Sequence, residues 1–304
     1  MARTFVIGDV HGHFDRLEAL LLQEGIIGRC STCQGRGDTY HLGAEPDGST
    51  DEVVICEICD GDGLRRIDHD TFVVQLGDLA HLGGATGSPT GDQICYLYAD
   101  RWLDLVLWGN HERALVDWQH GFSGYEYPGI HIEKKIEYLR KIGKMKVAAA
   151  AHGYLIVHAG VSSAFSNIAF DQGDAYNFAA HLNDLGDRKL DWLKDNPPRF
   201  SEIKNGQNLR VEAAQFSIID DISFLRAGPA ADGGVLWFDW DREPHLDGVP
   251  FKFICGHTAQ YQDGEPKEDE YGNWNIDIGG KYEARLCGLW LEDDKDPRPV
   301  KVEL

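Results

Sequence analysis

A series of short segments in this 304-residue chain sets a metal-ligating side chain beside glycine. In order they are Gly8-Asp9-Val10-His11-Gly12-His13, Gly77-Asp78, Gly109-Asn110-His111-Glu112, Val157-His158-Ala159-Gly160 and Cys255-Gly256-His257-Thr258. Carboxylate, amide and imidazole donors together suit Mn, Fe, Zn or a related divalent ion rather than Ca. A lone Asp-x-His is a common polar turn. The ordered series makes a site, and glycine next to each ligand lets the backbone turn sharply beneath a metal.

A second set of ligands is written twice in one pattern. Cys30-Ser31-Thr32-Cys33-Gln34-Gly35-Arg36-Gly37 and Cys56-Glu57-Ile58-Cys59-Asp60-Gly61-Asp62-Gly63 are both CxxCxGxG. Four thiolates in two such knuckles make a closed tetrahedral site for one structural Zn. A segment of this size, residues 28–67, cannot build its own core, so bound metal would supply its folding energy. Its expected role is structural, with contact to a protein partner or a lid over the active site left open.

The elements that must position these residues follow from periodicity. Arg3 to Gly8 is an apolar run ending in Gly-Asp, a strand that delivers Asp9 at its carboxyl end. Phe14, Leu17, Leu20 and Leu21 mark a helix over His13 to Glu24. Thr71 to Leu76 is a strand ending in Gly77-Asp78, and a helix is expected over Asp92 to Asp104. Leu105 to Trp108 is a strand ending in Gly109-Asn110. A helix over about 131–143 precedes expected strands at Met145 to Ala151 and Tyr154 to His158. Asp174 to Asp195 reads as helix, closed by Pro197-Pro198. Strands are expected at Gly234 to Phe238, Phe251 to Cys255, Trp274 to Ile278 and Arg285 to Glu292, and a poorly ordered tail from Asp293. A first half alternating β and α, followed by a β-rich half, points to a layered α/β sandwich with mixed sheets. Ligands at strand carboxyl ends converge on one sheet edge, where open α/β folds hold their sites.

Composition narrows the classes. With 42% apolar residues the chain has ample material for a core. A formal net charge of −21 repels nucleic-acid backbones and anionic membranes, and excludes a non-specific nucleic-acid binder. That charge also opposes phosphate binding unless bound cations invert it locally. No apolar stretch approaches the roughly 18 residues of a membrane span, and no signal-peptide pattern is present. Seven cysteines, an odd number, suit reduced thiols and a cytoplasmic location, with Cys95, Cys255 and Cys287 expected in the core.

The ordered motifs resemble the metallophosphoesterase (calcineurin-like) superfamily, and within it the phosphoprotein-phosphatase branch of bacterial and phage-type Ser/Thr phosphatases and diadenosine-tetraphosphatase-like enzymes. The pattern resembled is GDxHG, GDxxDRG, GNHE, HGG and a late His. The resemblance spans about residues 5–290 apart from the insertion, and implies an α/β/β/α sandwich of two mixed sheets flanked by helices over 1–304. It implies that Asp9 and His11 bind a first metal, that Asp78 bridges, and that Asn110, His158 and His257 complete the second. A hydroxide shared by two ions roughly 3.5–4 Å apart would attack the phosphorus directly, and His111 would protonate the leaving oxygen. The two ions would be Mn, Fe or Zn. Arg226, in Phe224-Leu225-Arg226 ahead of Gly234-Val235-Leu236-Trp237-Phe238-Asp239, resembles the branch's phosphate-gripping arginine. The segment Ile276-Asp277-Ile278-Gly279-Gly280 resembles the DTG stretch of bacterial members. The doubled CxxCxGxG resembles the zinc domain of J-type co-chaperones.

Departures bear on the substrate. Gly256-His257-Thr258-Ala259 lacks the second histidine of GHxH, which matches the phosphatase branch. Gly77-Asp78-Leu79-Ala80-His81-Leu82-Gly83 replaces the family's GDxxDRG. His81 stands where an aspartate orients the general acid, so either His81 shares proton delivery or an acid such as Glu112 takes the orienting role. Leu82 stands where a second phosphate-binding arginine is usual, leaving room for a bulkier or less charged phosphate. The leading expectation is phosphomonoester hydrolysis, on phosphoserine or phosphothreonine in protein or on a small phosphorylated molecule. The alternatives are hydrolysis of a dinucleoside polyphosphate or phosphodiester, and a degenerate phosphatase that binds a protein partner through the zinc insertion.

Overall fold

The computed structural model describes residues 3–36, 38–41, 52–59, 61–79, 89–117, 130–196, 203–204, 207–208, 214–226, 228–260, 262–279, 283 and 285–303. His81, Leu82, the Pro197-Pro198 pair and Gly280 lie outside the described residues. Along the chain run β1 (Arg3–Ile7), α1 (Phe14–Gln23), β2 (Ile27–Arg29), β3 (Asp38–His41), β4 (Glu52–Ile55), β5 (Leu64–Arg66), β6 (Thr71–Gln75), α2 (Pro89–Trp102), β7 (Leu105–Leu107), α3 (Asn110–Asp117) and α4 (Ile130–Lys141). Then come β8 (Met145–Lys146), β9 (Ala148–Ala151), β10 (Tyr154–Val157), α5 (Ser166–Gln172), α6 (Ala175–Asp195), β11 (Ile203–Lys204), β12 (Gln207–Asn208), α7 (Ser217–Asp220), β13 (Lys252–Cys255), β14 (Lys267–Glu268), β15 (Trp274–Asn275), β16 (Arg285–Glu292) and β17 (Arg298–Glu303).

Two mixed sheets form the body, ordered β17-β16-β1-β6-β7-β8 and β14-β15-β13-β10-β9. Alternation along the strands supplies two apolar faces. Val6, Val74, Leu107, Ile156, Ile254, Ile276 and Leu289 from both sheets form one buried cluster between them. Phe5, Ile7, Val73, Leu286 and Trp290 face the other way and join the helices in a second core. α1 lies on β16 and β17, and α6 on β9 and β10. β1, β6 and β7 run parallel, as do β10 and β13, so the ligand-bearing turns leave at the same ends. Among the described residues no helix is long and apolar enough to cross a membrane.

Several expectations are corrected. Met145 to Ala151 is not one strand: β8 pairs with β7 in the first sheet and β9 with β10 in the second. The chain crosses at Val147, where Asn183 on α6 accepts the N–H groups of Val147 and Ala148 at 2.9 and 3.0 Å. Alternating hydrophobicity does not say which sheet a strand joins. Gly234 to Phe238 is a buried turn rather than a strand, with the N–H groups of Trp237 and Phe238 on the Gly234 carbonyl. A short buried apolar run has no period that distinguishes the two. Trp274 to Ile278 is strand only at Trp274–Asn275. The tail from Asp293 returns as β17, paired antiparallel with β16, with Val302 buried. β17 is an edge strand, where Pro299 costs no ladder bond on its outer side. The helix α3 was not anticipated.

Candidate metal centre

The turn after β1 delivers Asp9 and His11, the turn after β6 delivers Asp78, and α3 begins at Asn110 directly after β7. His158 and His257 leave β10 and β13 from the second sheet. Strain concentrates on the candidate ligands themselves. His11, Asp78 and His257 adopt φ of 48°, 52° and 68°, a region that costs non-glycine residues about 1–3 kcal/mol each. The neighbouring glycines serve partly for close approach: at Gly77 (φ 104°) a Cβ would sit 2.7 Å from the Gly109 Cα.

Asp78 is the centre. His11, Asp78 and His111 form one donor cluster, and Asp78, His158 and His257 form another. The Asp78 Oδ2 faces His11 Nε2 at 3.7 Å and His111 Nε2 at 3.6 Å, while Oδ1 faces His158 Nε2 at 3.6 Å. Asp9 Oδ2 lies 4.0 Å from His11 Nε2 and accepts the His257 N–H at 3.0 Å. One terminus of the Asn110 side-chain amide lies 3.0–3.2 Å from His158 Nε2, His257 Nδ1 and both Asp78 oxygens. His158 Nε2 and His257 Nδ1 are 3.1 Å apart.

Such crowding of acceptors fits a cation. Asp9 Oδ1 is buried with no hydrogen-bond partner among the described residues. Burial first, then the carboxylates of Asp277 and Asp78, pushes the Asp9 pKa well above the usual range; positive charge in the pocket would reverse that. Burial depresses His158 to about 3, so it is a neutral imidazole. Its Nδ1 donates to the Leu76 carbonyl at 3.0 Å, which leaves the Nε2 lone pair aimed at Asn110 and His257. These residues fit divalent metal binding.

Several supports were not foreseen. Gln75, fully buried in β6, donates to the carbonyls of Gly8 and Gly77 at 3.2 and 2.5 Å and accepts the Gly77 N–H, binding together the two turns that carry Asp9 and Asp78. A glutamine in an otherwise apolar strand was the available signal. The buried carboxylate of Glu112 accepts the N–H groups of Asp78, Leu79 and Gly109 at 2.8, 2.9 and 3.0 Å, and the Tyr96 hydroxyl at 2.6 Å. Glu112 thereby holds the bridging turn. The Arg226 guanidinium donates to Thr258 Oγ1 at 2.7 Å, next to His257, and its charge lowers the His158 pKa further. The structure thus places the Arg226 guanidinium against Thr258, the neighbour of His257.

The four motif cysteines are buried and clustered, each unoxidised. Cys30 and Cys56 Sγ atoms are 3.9 Å apart, Cys33 and Cys59 3.6 Å, near the edge of about 3.8 Å for a tetrahedron of Zn–S bonds. The Cys33 N–H draws the Cys30 thiol down to about 6, while burial pushes Cys59 up to about 12. Four buried sulfurs this close could hold one metal ion, and the cluster fits a zinc insertion. Cys95, Cys255 and Cys287 are buried thiols, as expected.

The calcineurin-like phosphoesterase family model matches residues 2–261. A comparison with curated proteins finds no match. Among solved structures, a protein serine/threonine phosphatase from Saccharomyces cerevisiae with similarity to human phosphatase PP5 is 12% identical, with 100% of this chain and 80% of that one covered and a TM-score of 0.44. The phosphatase domain of the Legionella effector WipB is 12% identical over 83% of this chain and 98% of that one, at a TM-score of 0.44. A metallophosphoesterase from Sphaerobacter thermophilus is 14% identical over 100% and 88%, at 0.38. Likenesses this distant bear on no substrate. The family match, covering most of the chain and every ligand-bearing turn, is the firmer ground: this chain belongs to the calcineurin-like phosphoesterase family and is a metal-dependent phosphoric ester hydrolase.

Proposed function

We propose that this chain hydrolyses phosphomonoesters, of phosphoserine or phosphothreonine in protein or of a small phosphorylated molecule. The observation that carries the reading is the Asp78 carboxylate, whose two oxygens face separate donor clusters. Asp9, His11 and Asp78 would hold one divalent ion, and Asp78, Asn110, His158 and His257 the other, with Mn, Fe or Zn all compatible with these donors. Bound there, two such ions supply Lewis-acid charge for the phosphoryl oxygens and an acidified water as nucleophile. The protein's own residues do the remainder. Arg226, held at the cluster by Thr258 and Asp239, grips the phosphate through its guanidinium. His111, opening α3 beside Asp78, hands its Nε2 proton to the leaving ester oxygen. Glu112 and Gln75 keep the bridging turn fixed while charge shifts. His81 stands close in sequence to Asp78 and is assigned a share in proton delivery.

The test is hydrolysis of an aryl phosphate and of its diester counterpart with Mn added, using Asn110→Ala as control. Monoester turnover lost in the variant supports the reading. Diester-only turnover moves the substrate class to a diester or dinucleoside polyphosphate. Tight Mn binding without turnover of either overturns the phosphatase assignment, in favour of a partner-binding role through the zinc insertion.

A further inference from the structure

The cysteine module and the Asp78 turn are joined by α2. On the module side, Asp62 sits inside the second knuckle: its N–H donates to the Cys59 carbonyl at 3.0 Å, and the next residue, Gly63, donates to Cys59 Sγ at 3.3 Å and accepts from the Cys30 N–H at 2.8 Å. The Asp62 carboxylate pairs with Arg101 and bonds the Tyr98 hydroxyl, both on α2. Arg66, from β5 of the module, makes a second tie. Its guanidinium donates to the Trp102 carbonyl at 3.0 Å, at the last residue of α2, and pairs with Asp104 at 2.8 Å. Asp104 in turn accepts the Val73 N–H at 2.8 Å, on β6, the strand that leads into the Asp78 turn. Tyr98 and Trp102 both stack on Phe14 of α1, at 4.5 and 5.7 Å, which fixes the helix laterally.

On the metal side the same helix presents Tyr96. Tyr96 is 1% exposed, and its hydroxyl reaches Glu112 at 2.6 Å. Glu112 holds the N–H groups of Asp78, Leu79 and Gly109. Displacing α2 by a fraction of an ångström therefore moves a hydrogen bond on the carboxylate that sets the strained Asp78 backbone. A hydrogen bond tolerates little such displacement before it weakens.

We propose that the cysteine module is a brace for the dinuclear site, acting through α2, with Asp62 and Arg66 fixing the helix and Tyr96 as the positioning residue that carries its register to Glu112 and the Asp78 turn. The inference rests on the reading of Asp78 as the bridging ligand. Outer partners of metal ligands are worth about 10–100-fold in metal affinity or activity, and residues acting in one chain couple rather than add.

The experiment measures Mn affinity of the full, zinc-loaded chain by electron paramagnetic resonance of free Mn, alongside kcat, KM, zinc content and Tm. Tyr96→Phe is expected to weaken Mn binding about tenfold. Asp62→Ala, far from the Mn ligands in sequence, is expected to weaken it in the same direction. The double variant is expected to lose less than the product of the two. Arg66→Gln breaks the other tie and keeps the test decisive should Asp62→Ala lose its zinc. Wild-type Mn affinity in both zinc-loaded module variants, or strictly multiplicative losses in the double variant, overturns the brace. Mn affinity is read whichever ester is cleaved. A wild-type protein that binds Mn but cleaves neither ester defeats the phosphatase reading alone, and full activity with insensitive Mn binding in the variants defeats the brace alone.

Discussion

Arg226 and Asp239 face each other with the guanidinium Nε 3.0 Å from a carboxylate oxygen, and Asp239 is nearly buried while Arg226 keeps about a quarter of its side chain exposed. The pair fixes one edge of the guanidinium, and the Nη2 bond to Thr258 Oγ1 at 2.7 Å, next to His257, holds the other. A fork already ordered loses little freedom when a phosphate arrives. Arg226→Ala is expected to lower kcat/KM about 10–100-fold, since a hydrogen bond to a charged group contributes about 1.5–3 kcal/mol, and to weaken inhibition by inorganic phosphate. Asp239→Asn is expected to raise KM by a smaller factor with kcat nearly kept. Unchanged phosphate inhibition in Arg226→Ala would remove it from the substrate site.

The four-cysteine cluster makes its own prediction. With the sulfur pairs at 3.6 and 3.9 Å, loss of one thiolate leaves three ligands and an incomplete tetrahedron. Cys56→Ser is expected to bring bound zinc from one per chain to a small fraction, measured by elemental analysis, and to lower Tm. A variant with full zinc content would place the metal elsewhere.

The grouping of the candidate ligands was legible because carboxylate, amide and imidazole side chains followed strand ends in order, and a strand's exit is fixed by its own apolar run. Asp9, His11, Asp78, Asn110, His158 and His257 all come together for that reason. Gln75, Tyr96 and the turn-holding role of Glu112 were not legible. Their partners are backbone groups or side chains brought near by sheet and helix packing: Glu112 and Asp78 are 34 positions apart. The split between β8 and β9 was hidden for a related reason, because Val147 changes sheets without a break in hydrophobicity, and Asn183 on a distant helix satisfies the crossing.

A buried carboxylate between two buried cations predicts a large stability effect. Asp220 Oδ2 receives Lys189 Nζ and lies 3.2 Å from Arg113 on α3, all three nearly or fully buried. Burial alone would raise the Asp220 pKa, but Arg113 and Lys189 together hold it below the usual range. Asp220→Ala removes the carboxylate that both buried cations share and is expected to cost about 3–5 kcal/mol in urea unfolding. Lys189→Met, which leaves the Arg113 pair intact, is expected to cost clearly less. Equal losses in the two variants would show that packing volume, not charge, sets the effect.

His245 gives stability a pH dependence of definite sign. Its Nδ1 lies 2.6 Å from Asp269 and its Nε2 2.7 Å from the Trp240 carbonyl, two acceptors that both call for a proton on the ring. Burial acts to lower the His245 pKa, but these two bonds outweigh it and the net shift is above 6.5. Asp269 shifts the other way, below 3.8, since its bonds from His245 and Asn273 outweigh the upward push of burial. A raised imidazole contributes stability that is complete below its unfolded pKa and is lost as pH climbs through the folded one; the lowered carboxylate contributes above its unfolded pKa and loses it as pH falls through the folded one. The pair thus stabilises most between about pH 4 and 6.5. The Tm gap between wild type and His245→Gln is expected to be widest near pH 5 and to narrow as pH rises above 6.5 through the raised folded pKa. A gap that stays constant across that range would mean the ring contributes by packing and not by its charge.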